Sequence, residues 1–180
     1  RKVLAFLSNQ SGEWRDMNVP VTDGRILYDL ILEGNYRKAM EIGTSTGHSA
    51  IWIAWALSKT GGKLVTMEID KQRYLQALQN FRKAGLSGYI DARLGDAHEL
   101  VPAVDKGWDF VFCDADKYWY KNYFMAMESK MTRGGCFAAH NINTRSPDIR
   151  EFLKYVQAHS GYTTGFRTGS RAGISVSYKK

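Results

Sequence analysis

The sequence predicts an α/β fold in which helices cover both faces of a mostly parallel β-sheet. Short apolar runs alternate with helical patterns between residues 38 and 159, as in parallel sheets whose strands are joined by helices. Residues 162–167 and 173–178 instead read as two consecutive strands, which predicts a closing antiparallel hairpin. The length of 180 residues fits a single domain over 1–180.

The individual elements follow from the local patterns. The predicted strands are 38–42, 63–69, 90–94, 110–113, 136–140, 162–167 and 173–178. The predicted helices lie around 2–8, 22–33, 47–59, 71–85, 118–131 and 147–159. The helix at 71–85 shows the clearest apolar stripe, with Tyr74, Leu78 and Phe81 recurring beside charged residues. We expect residues 1–33 to form an N-terminal helical cap segment, interrupted at Ser11, Gly12 and Pro20.

Composition excludes several classes of protein. The longest apolar run, residues 50–57, is eight residues long and far too short to span a membrane. The two cysteines, Cys113 and Cys136, both lie in apolar runs, so we expect buried free thiols and not a disulfide framework. Free thiols suit a reducing compartment, and we expect a cytoplasmic protein. Because the chain begins at Arg1 and not at Met, a removed signal peptide stays open.

Positive charge is concentrated at the end of the chain. Lys and Arg number 25 against 18 Asp and Glu, a net charge of +7. Residues 141–180 contribute seven basic residues against two acidic ones, Asp148 and Glu151. A basic region of this kind favours an anionic partner such as nucleic acid, or is simply a solvated face. We favour the solvated face.

Two strand ends carry the strongest signals for ligand binding. Glu41 ends the first predicted strand, and a turn with Gly43 and Gly47 follows before a helix. Such a turn lets a ligand approach the backbone, but its spacing is not the G-x-G-x-x-G of dinucleotide-binding proteins. The carboxylate of Glu41 opposes a pyrophosphate and suits a ligand with a cationic or amine group. Glu68, near the end of the second strand, is placed to accept ribose hydroxyls, unless it is only an exposed strand-end charge.

With these motifs and several more in order, the chain resembles class I S-adenosylmethionine-dependent methyltransferases of the catechol and caffeoyl-CoA O-methyltransferase family. The matching segments are Met17-Asn18-Val19 with Gly24, then 41–49, 67–69, 95–97, 109–117, Gly134-Gly135 and His140-Asn141. The similarity runs from about Met17 to the end of the chain. It implies a Rossmann-like methyltransferase fold with a seven-stranded sheet and an antiparallel last strand. It also implies S-adenosylmethionine as the cofactor.

The resemblance and the strand-end pattern together give a set of candidate site residues. The candidate cofactor contacts are Val19, Glu41, Gly43, Ser49, Glu68, Asp96, Ala97, His98 and Asp114. The candidate catalytic residues are Lys117, Asp114 and His140, with Lys117 as the candidate base. The candidate acceptor-binding residues are Tyr118, Trp119 and Asn141, with Trp14 as a further aromatic candidate. Tyr118 and Trp119 either form a flat wall for a planar acceptor or pack in the core.

One candidate residue departs from the family pattern. Family members hold a divalent cation with two Asp and one Asn. Here Asp114 and Asn141 match, but His140 stands where the second Asp is expected. Exchanging a carboxylate for an imidazole weakens Mg²⁺ binding and favours Mn²⁺, Fe²⁺, Ni²⁺ or Zn²⁺ if any metal binds. We therefore expect no tightly bound Mg²⁺. Either His140 or Lys117 then takes the proton of the acceptor hydroxyl, or His140 merely caps the strand.

The predicted reaction is methyl transfer from S-adenosylmethionine to a hydroxyl oxygen of a small acceptor of catechol or phenol type. One alternative is a hydroxylated uridine in transfer RNA, which some relatives methylate and which the basic C-terminal region favours. Another is a non-catalytic protein that keeps the cofactor pocket, which the change to His140 favours. No membrane partner is expected. The resemblance leaves two oligomeric states open, because bacterial and plant relatives are commonly dimers while animal catechol enzymes are monomers. We favour a homodimer.

Overall fold

The computed structural model describes residues 2–9 and 18–180. Ser11, Gly12, Trp14 and Met17 lie outside the described residues. The helices are α1 (Lys2–Asn9), α2 (Val21–Gly34), α3 (His48–Thr60), α4 (Lys71–Ala84), α5 (Ala97–Ala103), α6 (Tyr120–Glu128) and α7 (Pro147–Ala158). The strands are β1 (Lys38–Ile42), β2 (Lys63–Glu68), β3 (Ile90–Leu94), β4 (Trp108–Cys113), β5 (Met131–His140), β6 (Tyr162–Arg167) and β7 (Ile174–Lys179). Short 3₁₀ turns lie at Ser87–Tyr89 and Lys117–Trp119.

The described strands form one seven-stranded sheet in the order β3-β2-β1-β4-β5-β7-β6. The pairs among β1 to β5 are parallel, and β7 runs antiparallel to both of its neighbours. The predicted fold, a mostly parallel sheet closed by an antiparallel last strand, is confirmed.

Helices cover both faces of the sheet, as predicted, because the strand residues alternate between two apolar layers. In β4, Phe110 and Phe112 pack on the side of α2, α3 and α4, whereas Val111 and Cys113 pack on the side of α5, α6 and α7. Such alternation follows from the two-residue period of a strand. Cys113 and Cys136 are buried free thiols, as expected, and burial raises the pKa of both.

Several boundaries differ from the sequence prediction for local reasons. Helix α5 was not predicted, since it has only seven residues and contains Pro102, so it offers little helical periodicity. Strand β5 begins at Met131, five positions before the predicted start. The sequence prediction started too late because Gly134 and Gly135 look like a turn. The predicted helix at 118–131 starts as the 3₁₀ turn Lys117–Trp119 and becomes α-helical only at Tyr120.

The topology brings the candidate site residues to one edge of the sheet. The chain moves outward from β1 through β2 to β3 and then returns to pair β4 against β1. The loops that follow β1 and β4 therefore diverge and leave a crevice at the carboxyl ends of these strands. Such a crevice is the usual ligand site of parallel sheets. Helix α2 packs on α3 beside this edge. At their contact, Gly24 lies so close to the Trp52 ring that a Cβ would not fit. Within the described ranges, no helix is long and apolar enough to cross a membrane.

Candidate active site

A cleft of about 1070 Å³ lies at the carboxyl ends of the parallel strands. Eleven of the candidate residues line it: Gly43, Ser49, Glu68, Asp96, Ala97, His98, Asp114, Lys117, Tyr118, His140 and Asn141. Val19, Glu41 and Trp119 are not part of this lining. Val19 is 4% exposed and belongs to the core on the α2–α3 side, while its neighbours Asn18 and Pro20 reach the cleft.

The turn after β1 has a backbone that requires glycine at two places. Gly43 and Gly47 both have φ of +95°, which side chains rarely tolerate. A Cβ on Gly43 would lie 2.7 Å from the carbonyl oxygen of Asp114. The turn therefore lies directly against the end of β4, and its backbone forms the floor under any ligand in the cleft.

Glu68 holds the turn from the neighbouring strand. Its Oε2 accepts a hydrogen bond from the Ser45 backbone N–H at 2.7 Å, and its Oε1 accepts one from the Asp70 N–H at 2.9 Å. The side chain is 7% exposed and lines the cleft. A carboxylate has about four acceptor sites, so Glu68 retains capacity for two ribose hydroxyls.

Glu41 lies beneath the turn and is fully buried. Burial raises its pKa to about 8, although hydrogen bonds from side chains such as Thr66 oppose the shift. Thr66 Oγ1 donates to Glu41 Oε2 at 2.6 Å. The carboxyl group is therefore mostly protonated at neutral pH and supports the turn from below.

His98 stands on the cleft side of α5. Asp96, two positions earlier, caps the helix by accepting from the His98 backbone N–H at 2.8 Å. The His98 Nε2 lies 3.0 Å from Asp116 Oδ2, and Tyr123 Oη donates to the other Asp116 oxygen at 2.8 Å. Asp116 and Tyr123 thus fix the His98 ring, a role that the sequence did not suggest because the three residues belong to different elements.

The two aromatic residues predicted as an acceptor wall separate in the structure. The Trp119 ring stacks on the His98 ring with a centroid distance of 4.3 Å, and it packs against the core on the α6 side. Tyr118 is 61% exposed and lines the cleft. Tyr118 alone of this pair is therefore placed to contact a planar acceptor.

Lys117 and Asp114 form a bonded pair on the cleft floor. Lys117 Nζ donates to Asp114 Oδ1 at 2.9 Å, to the Ala115 carbonyl at 3.1 Å and to Tyr120 Oη at 2.8 Å. Tyr120 Oη in turn donates to the His140 carbonyl oxygen at 3.2 Å. The lysine ammonium is thereby held at the end of β4, next to the end of β5.

His140 lies between two carboxylates. Its Nδ1 is 3.2 Å from Asp114 Oδ2, and its Nε2 is 2.6 Å from Asp23 Oδ2. Burial by itself lowers the pKa of His140, but the hydrogen bonds and charges of Asp114 and Asp23 outweigh it and raise the pKa above its ordinary value. The ring therefore carries positive charge to a higher pH than an ordinary histidine.

Asp23 was missed by sequence reasoning. It lies 117 positions before His140, in the first turn of α2, where an acidic residue usually signifies nothing beyond the helix dipole. In the structure it is fully buried, and Ser170 Oγ donates to its Oδ2 at 2.6 Å. No local sequence pattern indicates this contact.

Comparison with known proteins assigns the chain to a family. Residues 3–145 match the family described as O-methyltransferase. The chain belongs to the O-methyltransferase family. It is 33% identical over 130 residues to the catechol O-methyltransferase of Niastella koreensis, covering 70% of this chain and 58% of that protein. It is also 33% identical over 159 residues to the caffeoyl-CoA O-methyltransferase of Medicago sativa, covering 83% of this chain and 64% of that one.

Two solved structures of O-methyltransferases share the fold of this chain. The O-methyltransferase from Bacillus cereus in complex with SAH matches with a TM-score of 0.84 and 26% identity, over 99% of this chain and 90% of that one. TomG of Streptomyces achromogenes, an O-methyltransferase in complex with SAM, matches with a TM-score of 0.85 and 23% identity, over 100% and 90% of the two chains. The predicted Rossmann-like methyltransferase fold is confirmed. The chain spans about three fifths of the length of the two curated relatives above.

The candidate metal ligands Asp114, His140 and Asn141 do not fit a divalent cation. Asp114 bonds Lys117 through one oxygen and His140 through the other, and both ring nitrogens of His140 face carboxylates. Among the residues that the structure describes, no group of three His, Cys, Asp or Glu side chains is arranged to hold a metal ion. Asn141 lines the cleft beside His140 with φ of +54°, but it supplies at most one amide oxygen.

Proposed function

We propose that this chain catalyses methyl transfer from S-adenosylmethionine to a hydroxyl oxygen of a small aromatic acceptor of catechol or phenol type. One observation carries the proposal. A single cleft joins the glycine turn and Glu68 to the Lys117–Asp114–His140 floor. This arrangement puts a nucleoside-binding strand end and a group of polar side chains suited to a reacting hydroxyl within one cavity.

The cofactor half of the cleft fits a nucleoside. Gly43 of the glycine turn lines the cleft next to Glu68, and Glu68 supplies acceptors for ribose hydroxyls. Ala97 and His98 border the space beyond β3, where Gly95 and Asp96 also line the cleft. S-adenosylmethionine, when bound, supplies a methyl group that its sulfonium already activates. The task left to the protein is to align the acceptor and favour its nucleophilic form.

The acceptor half of the cleft fits an ionising hydroxyl. A phenol has a pKa near 10, so at neutral pH its oxyanion needs stabilisation. Lys117 and His140 each present nitrogen to the floor, and Asp114 holds both of them. The positive charge that the carboxylates of Asp114 and Asp23 hold at the floor stabilises an acceptor oxyanion. To take the hydroxyl proton itself, the His140 ring has to release Asp114 or Asp23. Tyr118 supplies an exposed ring for the aromatic acceptor.

Isothermal titration with S-adenosylhomocysteine tests the cofactor half. We expect micromolar binding to the wild-type chain and at least about ten-fold weaker binding to Glu68→Ala, because the ribose loses a charged acceptor and the turn loses a support. Glu33→Ala, an exposed acidic residue at the far end of α2, is the matched control and should bind like wild type. Absence of binding in the high micromolar range, or Glu68→Ala binding like wild type, contradicts the proposal.

Incubation with labelled S-adenosylmethionine and a panel of catechols, phenols and transfer RNA tests the acceptor half. We expect labelled product from catechol or phenol acceptors, with and without EDTA, because the floor does not fit a divalent cation. Labelling of transfer RNA alone would move the acceptor to nucleic acid. Labelling of nothing, despite cofactor binding, would favour a cofactor-binding protein without this activity.

A further inference from the structure

The structure assigns a positioning role to Asp23, which with Ser170 orients the His140 ring at the floor of the cleft. This inference rests on the proposed function, because the ring matters for reaction only if the acceptor binds there. Asp23 itself does not line the cleft. It acts through the ring, by holding Nε2 so that the Nδ1 edge faces Asp114.

The geometry of the contact supports orientation over incidental packing. The Nε2–Oδ2 distance of 2.6 Å is short for a nitrogen–oxygen hydrogen bond, as expected of a charge-assisted bond in a site that excludes water. Asp23 is completely buried and His140 is 3% exposed. With both nitrogens engaged, a ring rotation about χ2 would break two bonds inside the core.

Asp23 is itself fixed by the loop between β6 and β7. Ser170 Oγ donates to Asp23 Oδ2 at 2.6 Å and accepts from the Ala172 backbone N–H at 3.1 Å. Gly169 lies so close that a Cβ there would be 2.6 Å from Asp23 Oδ1. The loop therefore contacts the Asp23 carboxylate on one side, and His140 forms a hydrogen bond with it on the other.

The same loop also touches the segment that follows β5. The Asn143 backbone N–H donates to the Ala172 carbonyl at 2.9 Å, and Ala172 lines the cleft. The start of α2, the end of β5 and the closing hairpin loop therefore meet around the buried Asp23–His140 pair. Such contacts distinguish Asp23 from an ordinary carboxylate on the protein surface, which water alone can solvate.

Nuclear magnetic resonance of ¹⁵N-histidine-labelled protein tests the contact without any acceptor. The chain has four histidines, so loss of a signal in His140→Gln assigns that ring. We expect a slowly exchanging ring N–H signal far downfield of the amides in wild type, shifted in Asp23→Asn and lost in Asp23→Ala. A His140 signal unchanged in Asp23→Ala, in protein that still binds S-adenosylhomocysteine, overturns the assignment.

Steady-state kinetics with the best acceptor of the panel tests the role in reaction. For Asp23→Ala we expect kcat to fall on the order of ten- to a hundred-fold, as for other hydrogen-bond partners that orient a histidine. The KM for S-adenosylmethionine should stay within about two-fold, since Asp23 is on the acceptor side. Asp23→Asn, which keeps an oxygen acceptor, should retain more kcat than Asp23→Ala. Unchanged kcat in Asp23→Ala overturns the role.

Two further variants keep the test decisive. Ser170→Ala leaves the carboxylate in place and removes one contact to it, so we expect a smaller fall in kcat, on the order of five-fold. It decides the question if Asp23→Ala does not fold, and wild-type kcat in Ser170→Ala then overturns the role. Asp29→Asn, an exposed residue of the same helix paired with Arg25, should match wild type. If wild type methylates no acceptor, the proposed function fails, while the ring signal still decides whether Asp23 holds His140.

Discussion

His140 and Glu41 show how the surroundings of one residue set its chemistry. Both side chains are almost completely buried, and burial disfavours the charged form of each. At His140 two carboxylates reverse that tendency, so the pKa of the ring is raised. At Glu41 no cation compensates, and the pKa of the carboxyl rises to about 8. Two ionisable residues on one sheet edge therefore hold their protons for opposite reasons.

Replacement of His140 tests its role in the reaction. In His140→Ala we expect kcat to fall on the order of a hundred-fold or more, because the floor loses a positive charge that stabilises the acceptor oxyanion. His159→Ala, whose ring pairs with Glu128 outside the cleft, is the matched control in the same radiolabel assay. Wild-type rates in His140→Ala contradict this role. Full loss of wild-type activity in EDTA, with rescue by Mg²⁺ alone, would show that the family's metal chemistry operates here.

Glu41→Gln should make the protein more resistant to alkaline pH. The carboxyl has a folded pKa of about 8 against an ordinary value of 4.5, so its stabilising contribution is full below pH 4.5 and is lost as the pH rises to 8 and beyond. Gln does not ionise and avoids this loss, which is on the order of a few kcal/mol. Urea unfolding at pH 6 and pH 9 measures it. An equal pH dependence in wild type and Glu41→Gln contradicts the prediction, and Glu33→Gln serves as the exposed control.

At the scale of elements, the turn between β1 and α3 sets the depth of the cleft. Its two glycines have positive φ, and Gly47 also lies against the Phe81 ring, where a Cβ would be 2.5 Å from Cε1. The turn therefore packs tightly against α4 and against the end of β4 at the same time. Side chains at these positions would lift it into the space where the ligand binds.

Comparison of Gly43→Ala with Gly61→Ala separates backbone strain from steric contact. Both glycines have positive φ, but a Cβ at Gly61 meets nothing within 4 Å, whereas one at Gly43 meets the Asp114 backbone. We expect Gly61→Ala to lower the free energy of unfolding by about 1 kcal/mol and to leave S-adenosylhomocysteine affinity unchanged. Gly43→Ala should lose more stability and at least about ten-fold in affinity. Equal affinity in the two variants would show that the turn does not limit the cleft.

At the scale of the whole molecule, apolar residues remain exposed on the N-terminal helices. Leu4 in α1 is 41% exposed, and Val21 and Leu32 in α2 are 49% and 37% exposed. Large apolar side chains left in water favour association when they lie near one another. We expect the contact of a homodimer to include these residues.

Light scattering at micromolar concentration measures the oligomeric state. We expect a mass close to twice the 20.4 kDa of one chain, because closed two-fold dimers are the commonest assembly of soluble proteins. Leu32→Lys should shift the mass toward one chain if α2 forms the contact, since a buried unpaired charge is costly there. A mass of one chain in the wild-type protein contradicts the expectation.

Local sequence patterns alone predict the order of the elements and the positions of the strand-end motifs. Periodicity is a local property, so 38–42, 90–94 and 162–167 were bounded correctly, and the motifs around Glu41, Glu68 and Asp114 fell at strand ends. The tertiary structure decided which side chains meet. It brought Asp23 to His140 across 117 positions and Ser170 to Asp23 across 147 positions, and it turned Trp119 from the cleft onto His98. It also buried Glu41 deeply enough to keep its proton. Contact, burial and the pKa values that depend on them arise only when distant segments exclude water together, which no local pattern records.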